Sequence, residues 1–206
     1  MKPEHARQLL AQEAARILSE EGRHDFLSAK HKAAAHLGLA HKHLPTNREI
    51  ETALIAHQRL FEAPAQSHRL HRLRITALAA MTRLEGMETR VAGAALGEVA
   101  TAHSVVELHV FAEPPERVMF CLADQGLTYR ESVRRHAWRN GRTRTLPVFE
   151  FSLGNQAVEA TVFNLDDIRE APINPVDGQP MHRLGLAALE ALIKENPHLT
   201  HTPPAA

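Results

Sequence analysis

The sequence predicts an α+β fold, an N-terminal helical bundle followed by a mixed β-sheet flanked by helices. Three observations carry that expectation. Over the first 85 residues, apolar side chains recur every three or four positions, the period of a helix. Beyond Gly86 the spacing shifts to the alternation of strands. Two tight-turn signals, Asn140-Gly141 and Gly154-Asn155, then cut residues 128–163 into three short strands.

The elements follow in order. Leu9, Leu10, Ala14, Ile17 and Leu18 mark a first helix, opened near Pro3 and stopped at Gly22. Asp25 caps a second, with Phe26, Ala29, Ala33 and Leu37 on one face and Gly38 as its end. After the connector Leu44-Pro45-Thr46, Asn47 caps a third helix along Ile50, Leu54, His57 and Phe61. Ala63-Pro64-Ala65 breaks it, and Ser67 caps a fourth through Leu70, Leu73, Ala77, Met81 and Leu84. Strands are expected at 90–92, 105–111, 128–138, 147–153 and 157–163. A helix after Pro114-Pro115 holds Cys121 in its core beside Phe120 and Leu122, and a last helix covers 184–193. The expected division is a helical region at 1–85, an α/β domain at 86–196 and a frayed tail at 197–206.

Composition narrows the function. Lys plus Arg and Asp plus Glu are 24 each, a balance that excludes a polybasic nucleic-acid binder held by bulk charge. The total hides one basic island, residues 130–144, where Arg130, Arg134, Arg135, Arg139, Arg142 and Arg144 face a single acid, Glu131. Tyr129, His136 and Trp138 are interleaved with these arginines, a mixture suited to phosphate and base contacts, so RNA is a candidate partner. The same hairpin could serve only to keep an edge strand from pairing with other chains. One cysteine excludes a disulfide framework, and no apolar run approaches the 18 residues of a membrane span. The acidic, apolar-poor start has no secretory signature, so a cytoplasmic protein without a membrane partner is expected. Neither a GxxxxGK[ST] loop nor a GxGxxG element is present.

The chemistry concentrates in Val91-Ala92-Gly93-Ala94-Ala95-Leu96-Gly97 and the following Ser104-Val105-Val106-Glu107-Leu108-His109-Val110. Acids separated by one residue on a strand point to one face, where they can hold Mg²⁺ against a triphosphate. A glycine fits where backbone must approach phosphate closely, with amide groups free at the start of the next helix. Over residues 70–195 this layout resembles the nucleotidyltransferase superfamily, the polymerase-β-like minimal fold. There a strand ends in Gly-Ser, and a later strand carries two metal-binding aspartates one residue apart. A third carboxylate comes from a subsequent strand.

The resemblance implies phosphate contacts at Gly93 and Ala94, a catalytic pair Glu107 and Glu159, and Mg²⁺ or Mn²⁺ as cofactor. Glu150 is the other candidate for the third acid; the alternation of Val158-Glu159-Ala160-Thr161-Val162 favours Glu159. The chain departs from the pattern at three places. Ala94 replaces the serine, Val105 stands at the first aspartate, and Glu107 is one methylene longer than the second. The clamp is thereby reduced to Glu107 with His109, a set (Glu107, His109, Glu159) open to Mn²⁺ or Zn²⁺, or simply the lining of a polar crevice. Arg130 and Arg134, if they share a strand face with His136, form an anion-binding floor beside Glu107.

The expected function is therefore a nucleotidyltransferase-like protein with a catalytically reduced site that binds a nucleotide or phosphate-bearing partner. An active metal-dependent transferase acting on a small molecule, protein or RNA is the first alternative. A protein-interaction module built on the helical half is the second.

Overall fold

The computed structural model describes residues 3–21, 25–40, 43–61, 63–97 and 100–195. The expected tail at 197–206 lies outside them. The α+β class is borne out. Helices α1 (Pro3–Glu21), α2 (Phe26–Leu37), α3 (Asn47–Phe61) and α4 (Ala63–Arg83) precede a five-stranded mixed sheet. The chain divides into two compact units. The first takes its described residues from Met1–Arg69, Glu98–Ser104 and Pro175–Gly178; the second takes them from Leu70–Gly97, Val105–Asn174 and Gln179–Ala206.

In the first unit α1 packs on α2 and α3. The periodic side chains become its core: Leu10, Ala14, Ile17 and Leu18 meet Ala29, Ala33, Ile50 and Leu54, all buried. Alanines at the contact positions let the helix backbones approach closely. Asp25 caps α2 as expected, its carboxylate accepting from the Ser28 N–H at 3.0 Å, and Gly38 ends it in the left-handed region at φ 62°.

The third helix starts differently from the expectation. Thr46, not Asn47, is its cap: Thr46 Oγ1 accepts from Glu49 N–H, while Glu49 Oε2 accepts from Thr46 N–H at 2.6 Å. This reciprocal pair is a capping box, and the backbone bond holds the Glu49 carboxyl below its ordinary range. Asn47 instead donates to the Pro175 carbonyl. Thr46→Ala is expected to lower stability by about 1 kcal/mol in urea unfolding, whereas a change below about 0.3 kcal/mol would deny the box any role. Helix α4 opens at Ala63, so Ser67 lies within it rather than at its cap.

In the second unit, β1 (Glu88–Ala92), β2 (Val106–Phe111), β3 (Tyr129–Ala137), β4 (Thr143–Leu153) and β5 (Gln156–Phe163) form one sheet in the order β1-β2-β5-β4-β3. Only β2 and β5 run parallel; the remaining pairs are antiparallel. One face is aliphatic and buried, with Val91, Val106, Leu108, Val110, Val158, Ala160 and Val162. The other carries the charged residues.

Two expected boundaries move. Strand β4 begins four residues earlier than the Pro147 start that its turn signal suggested. The last helix, α6 (Leu186–Glu195), starts later, because Leu184 pairs its backbone with Val91 at the sheet edge. Helix α5 (Glu116–Asp124) buries Val118 and Leu122, one turn apart, but leaves Phe120 59% exposed. Cys121 is only half-buried and donates to the Arg83 carbonyl, so it is not the core cysteine expected.

Pro147 shapes the sheet face. Pairing of β4 with β5 stops at Val148–Thr161, whereas pairing of β3 with β4 runs on to Ala137–Thr143. Proline has no N–H to extend the ladder towards β5. Beyond that point the hairpin leaves the sheet, and Trp138 joins Phe111, Leu146 and Phe163 in a buried cluster on the charged face.

Candidate functional site

One row of side chains crosses all five strands. In strand order it reads Ala92, Glu107, Glu159, Glu150 and Arg130, each the register partner of the next. Cross-strand partners share a face, so three carboxylates from three neighbouring strands stand side by side. Glu107 and Glu159 are brought together as expected, and Glu150 lies beside them.

Gly93 follows β1 directly, at φ 65°, a left-handed conformation that favours glycine. A Cβ built on Gly93 would overlap the Glu107 carboxylate. The two residues therefore share one spot on the sheet, and the glycine is what leaves room for the acid. The segment after Gly93 is a four-residue 3₁₀ turn, Gly93–Leu96, in place of the expected helix start. It lacks the aligned amides of a helix N-terminus. Ala94 sits within it, its carbonyl accepting from Gly97 N–H, and Arg74 Nε holds the Ala95 carbonyl at 3.0 Å.

The acids do not share one electrostatic state. Burial pushes the Glu107 carboxyl up; the nearby Arg134 charge opposes the shift and Glu159 adds to it. Glu150 is held below its ordinary range, first by the Ser132 hydroxyl, which donates at 2.6 Å, and then by Arg130, whose Nε donates at 3.1 Å. Arg134 donates to Glu159 and forms an ion pair with it.

Arg130, Arg134 and His136 alternate along β3 on the charged face, as the expectation required. The floor is not a free one, however. Both arginines are already engaged by carboxylates, and the Arg130 side chain is 78% exposed at the rim.

The curled hairpin adds a feature that spacing alone did not reveal. His136 comes within 6.0 Å, centroid to centroid, of His109, and both rings contact Phe163. His109 is fully buried, and among the described residues its Nδ1 has no hydrogen-bond partner; His136 Nε2 is likewise buried and unpartnered there. Burial holds both imidazoles neutral: His136 falls to about 4, with Arg134 adding to the effect, and His109 lies well below its ordinary value. Trp138 closes this end, with Arg142 and Arg144 over its ring and Arg144 bound to Asp167 at 2.8 Å.

Sequence reasoning missed two further cations. Arg90 is the register partner of His109, and Arg183 lies over Phe111, donating to the backbone carbonyls of Asp167 and Ile168. Arg183 reaches this face because Val91 and Leu184 exchange backbone hydrogen bonds of 2.8 and 3.0 Å. No local signal around Met181-His182-Arg183 foretells that pairing.

The donor set can be tested against the Mg²⁺, Mn²⁺ or Zn²⁺ that the resemblance implies. Among the described residues, no three acidic, histidine or cysteine side chains converge as ligands. Glu107 leans on Gly93, Glu159 is taken up by Arg134, and His109 is packed on Phe163. The positive charge beside the carboxylates is a guanidinium. Comparison of the chain with protein-family models and with curated proteins gives no match.

Proposed function

We infer that this sheet face binds the phosphate groups of a nucleotide or another phosphate-bearing ligand, as a nucleotidyltransferase-like site reduced to binding. The observation that carries the reading is the meeting of Gly93 with Glu107, next to the Arg134–Glu159 pair. Gly93 leaves the room in which the Glu107 carboxyl sits. Glu107, favoured in its uncharged form by burial, can donate a hydrogen bond to a phosphate oxygen where an ionised acid would repel it. Arg134 presents a fork that matches two phosphate oxygens, and its present carboxylate partner can be exchanged for the ligand. No step in this account passes through a metal.

Two substitutions separate this reading from its main alternative. In calorimetric titration with ATP, Arg134→Gln is expected to weaken binding about tenfold or more. Glu107→Gln keeps a donor at the same place and is expected to change affinity by no more than about threefold. If Glu107→Gln abolishes binding and the parent chain requires Mg²⁺, the metal-dependent transferase is the better reading. If the parent chain binds no nucleotide or phosphate at all, the proposal fails.

A further inference from the structure

The His109–His136 end of the same face has features that nucleotide binding at Gly93 does not use. Two buried imidazole nitrogens lack partners, and unmet buried polar groups cost about 1–3 kcal/mol each. Two arginines stand nearby: Arg90, held by Glu88 and the Thr89 carbonyl, and Arg183. Among the described residues Arg183 donates to backbone oxygens alone, and Asp167 is occupied by Arg144 and Arg142. Arg90 lies under Gly185, where a Cβ would come within 3.0 Å of its guanidinium, and its charge disfavours that of Arg183. Cations and unsatisfied rings are thus gathered at one end of the face, an arrangement that an anion would relieve at Arg183 and at both rings.

We propose that His109, His136, Arg183 and Arg90 form a second anion site, separate from Gly93, that takes a tetrahedral phosphate group. Its source is free phosphate or the terminal group of a phosphate monoester. Each protonated imidazole donates from both ring nitrogens, and the arginines add forked donors, so four side chains from β1, β2, β3 and the segment before α6 close on one small dianion. The aromatic wall of Phe111, Phe163 and Trp138 keeps water out and strengthens each contact. Arg134, Glu107 and Glu159 face the same region from the neighbouring row, and Glu88 pairs with Arg90 at its edge. The site does not depend on these acids.

Binding an anion here must favour the protonated rings, so by linkage it raises their titration midpoints. The test is an NMR titration of the histidine side chains of the full chain, with and without inorganic phosphate, repeated with phenyl phosphate. The expected result is a saturable response of His109 and His136 together, with both midpoints moving up by about one pH unit or more. Arg183→Lys, which keeps the charge and loses the fork, should weaken the response about tenfold. Response to phenyl phosphate alone would assign the site to monoesters; response to both assigns it to the phosphate group itself. Unmoved midpoints at tens of millimolar of either probe would overturn the proposal. Because the Arg134 charge acts on both rings, the titration is repeated in Arg134→Gln, which removes the fork of the site at Gly93: a response kept there belongs to the histidine pair, and a response lost there belongs to Gly93 and overturns the proposal.

Discussion

Gly93→Ala is expected to destabilise the chain by about 2–3 kcal/mol. Two costs add. An alanine forced to a φ of 65° loses roughly 1–2 kcal/mol to the contact between its Cβ and the following carbonyl. The same Cβ displaces the Glu107 carboxylate, which must move within a packed row of side chains, at about 1 kcal/mol. The second cost disappears when the acid is shortened. Glu107→Ala in the Gly93→Ala background should therefore recover about 1 kcal/mol relative to simple addition of the two single effects. Urea unfolding of the four proteins measures the coupling. Strict additivity, or a single-mutant loss below about 0.5 kcal/mol, would mean that the glycine is not there to seat the acid.

The second large effect is on pH. The folded chain holds His136 at about 4 and His109 well below the ordinary histidine value, both mainly through burial. The unfolded chain takes up these protons near pH 6.5. Stability from this pair is full above about pH 6.5 and falls as the pH drops towards 4, with a slope approaching 1.4 kcal/mol per pH unit per histidine. His136 alone accounts for at most about 3 kcal/mol, reduced because the ring is partly exposed.

Two carboxyls behave differently. Glu13 is held at about 2 by its hydrogen bond to Arg16, so its contribution is lost only as the pH falls from 4.5 towards 2. Glu107, raised by burial, gains its proton earlier in the folded state and opposes the loss in the window above 4.5. Urea midpoints at half-unit pH steps should show a steep fall between 6.5 and 4 that His136→Asn makes visibly shallower. Equal slopes in the two proteins would contradict the buried-imidazole account.

What could be read from the sequence was what local rules decide. Asp25 and Gly38 bound α2 because capping needs only neighbours. Gly93 and Glu107 met because consecutive strands β1 and β2 form an antiparallel pair, and the alternation of β5 put Glu159 on the face of Glu107. Thr46 and Asn47 are both good caps, and only the reach of Glu49 decides between them. The exposure of Phe120 was legible and missed: Val118 and Leu122 lie one turn apart, which puts residue 120 on the opposite side of the helix and leaves Cys121 at the margin of their stripe.

The histidine end was different. Its assembly depends on a ladder that stops at Pro147 and on a bridge between Val91 and Leu184, 93 positions apart in the chain. Neither event has a local signature. The arginines, visible as a basic island, gave no sign that Arg134 would be spent on Glu159.

The most direct measurement is a calorimetric titration of the full chain with ATP in excess EDTA. The account predicts saturable binding at one site without any divalent cation, lost in Arg134→Gln. Binding that appears only when Mg²⁺ is restored, or none under either condition, would contradict it.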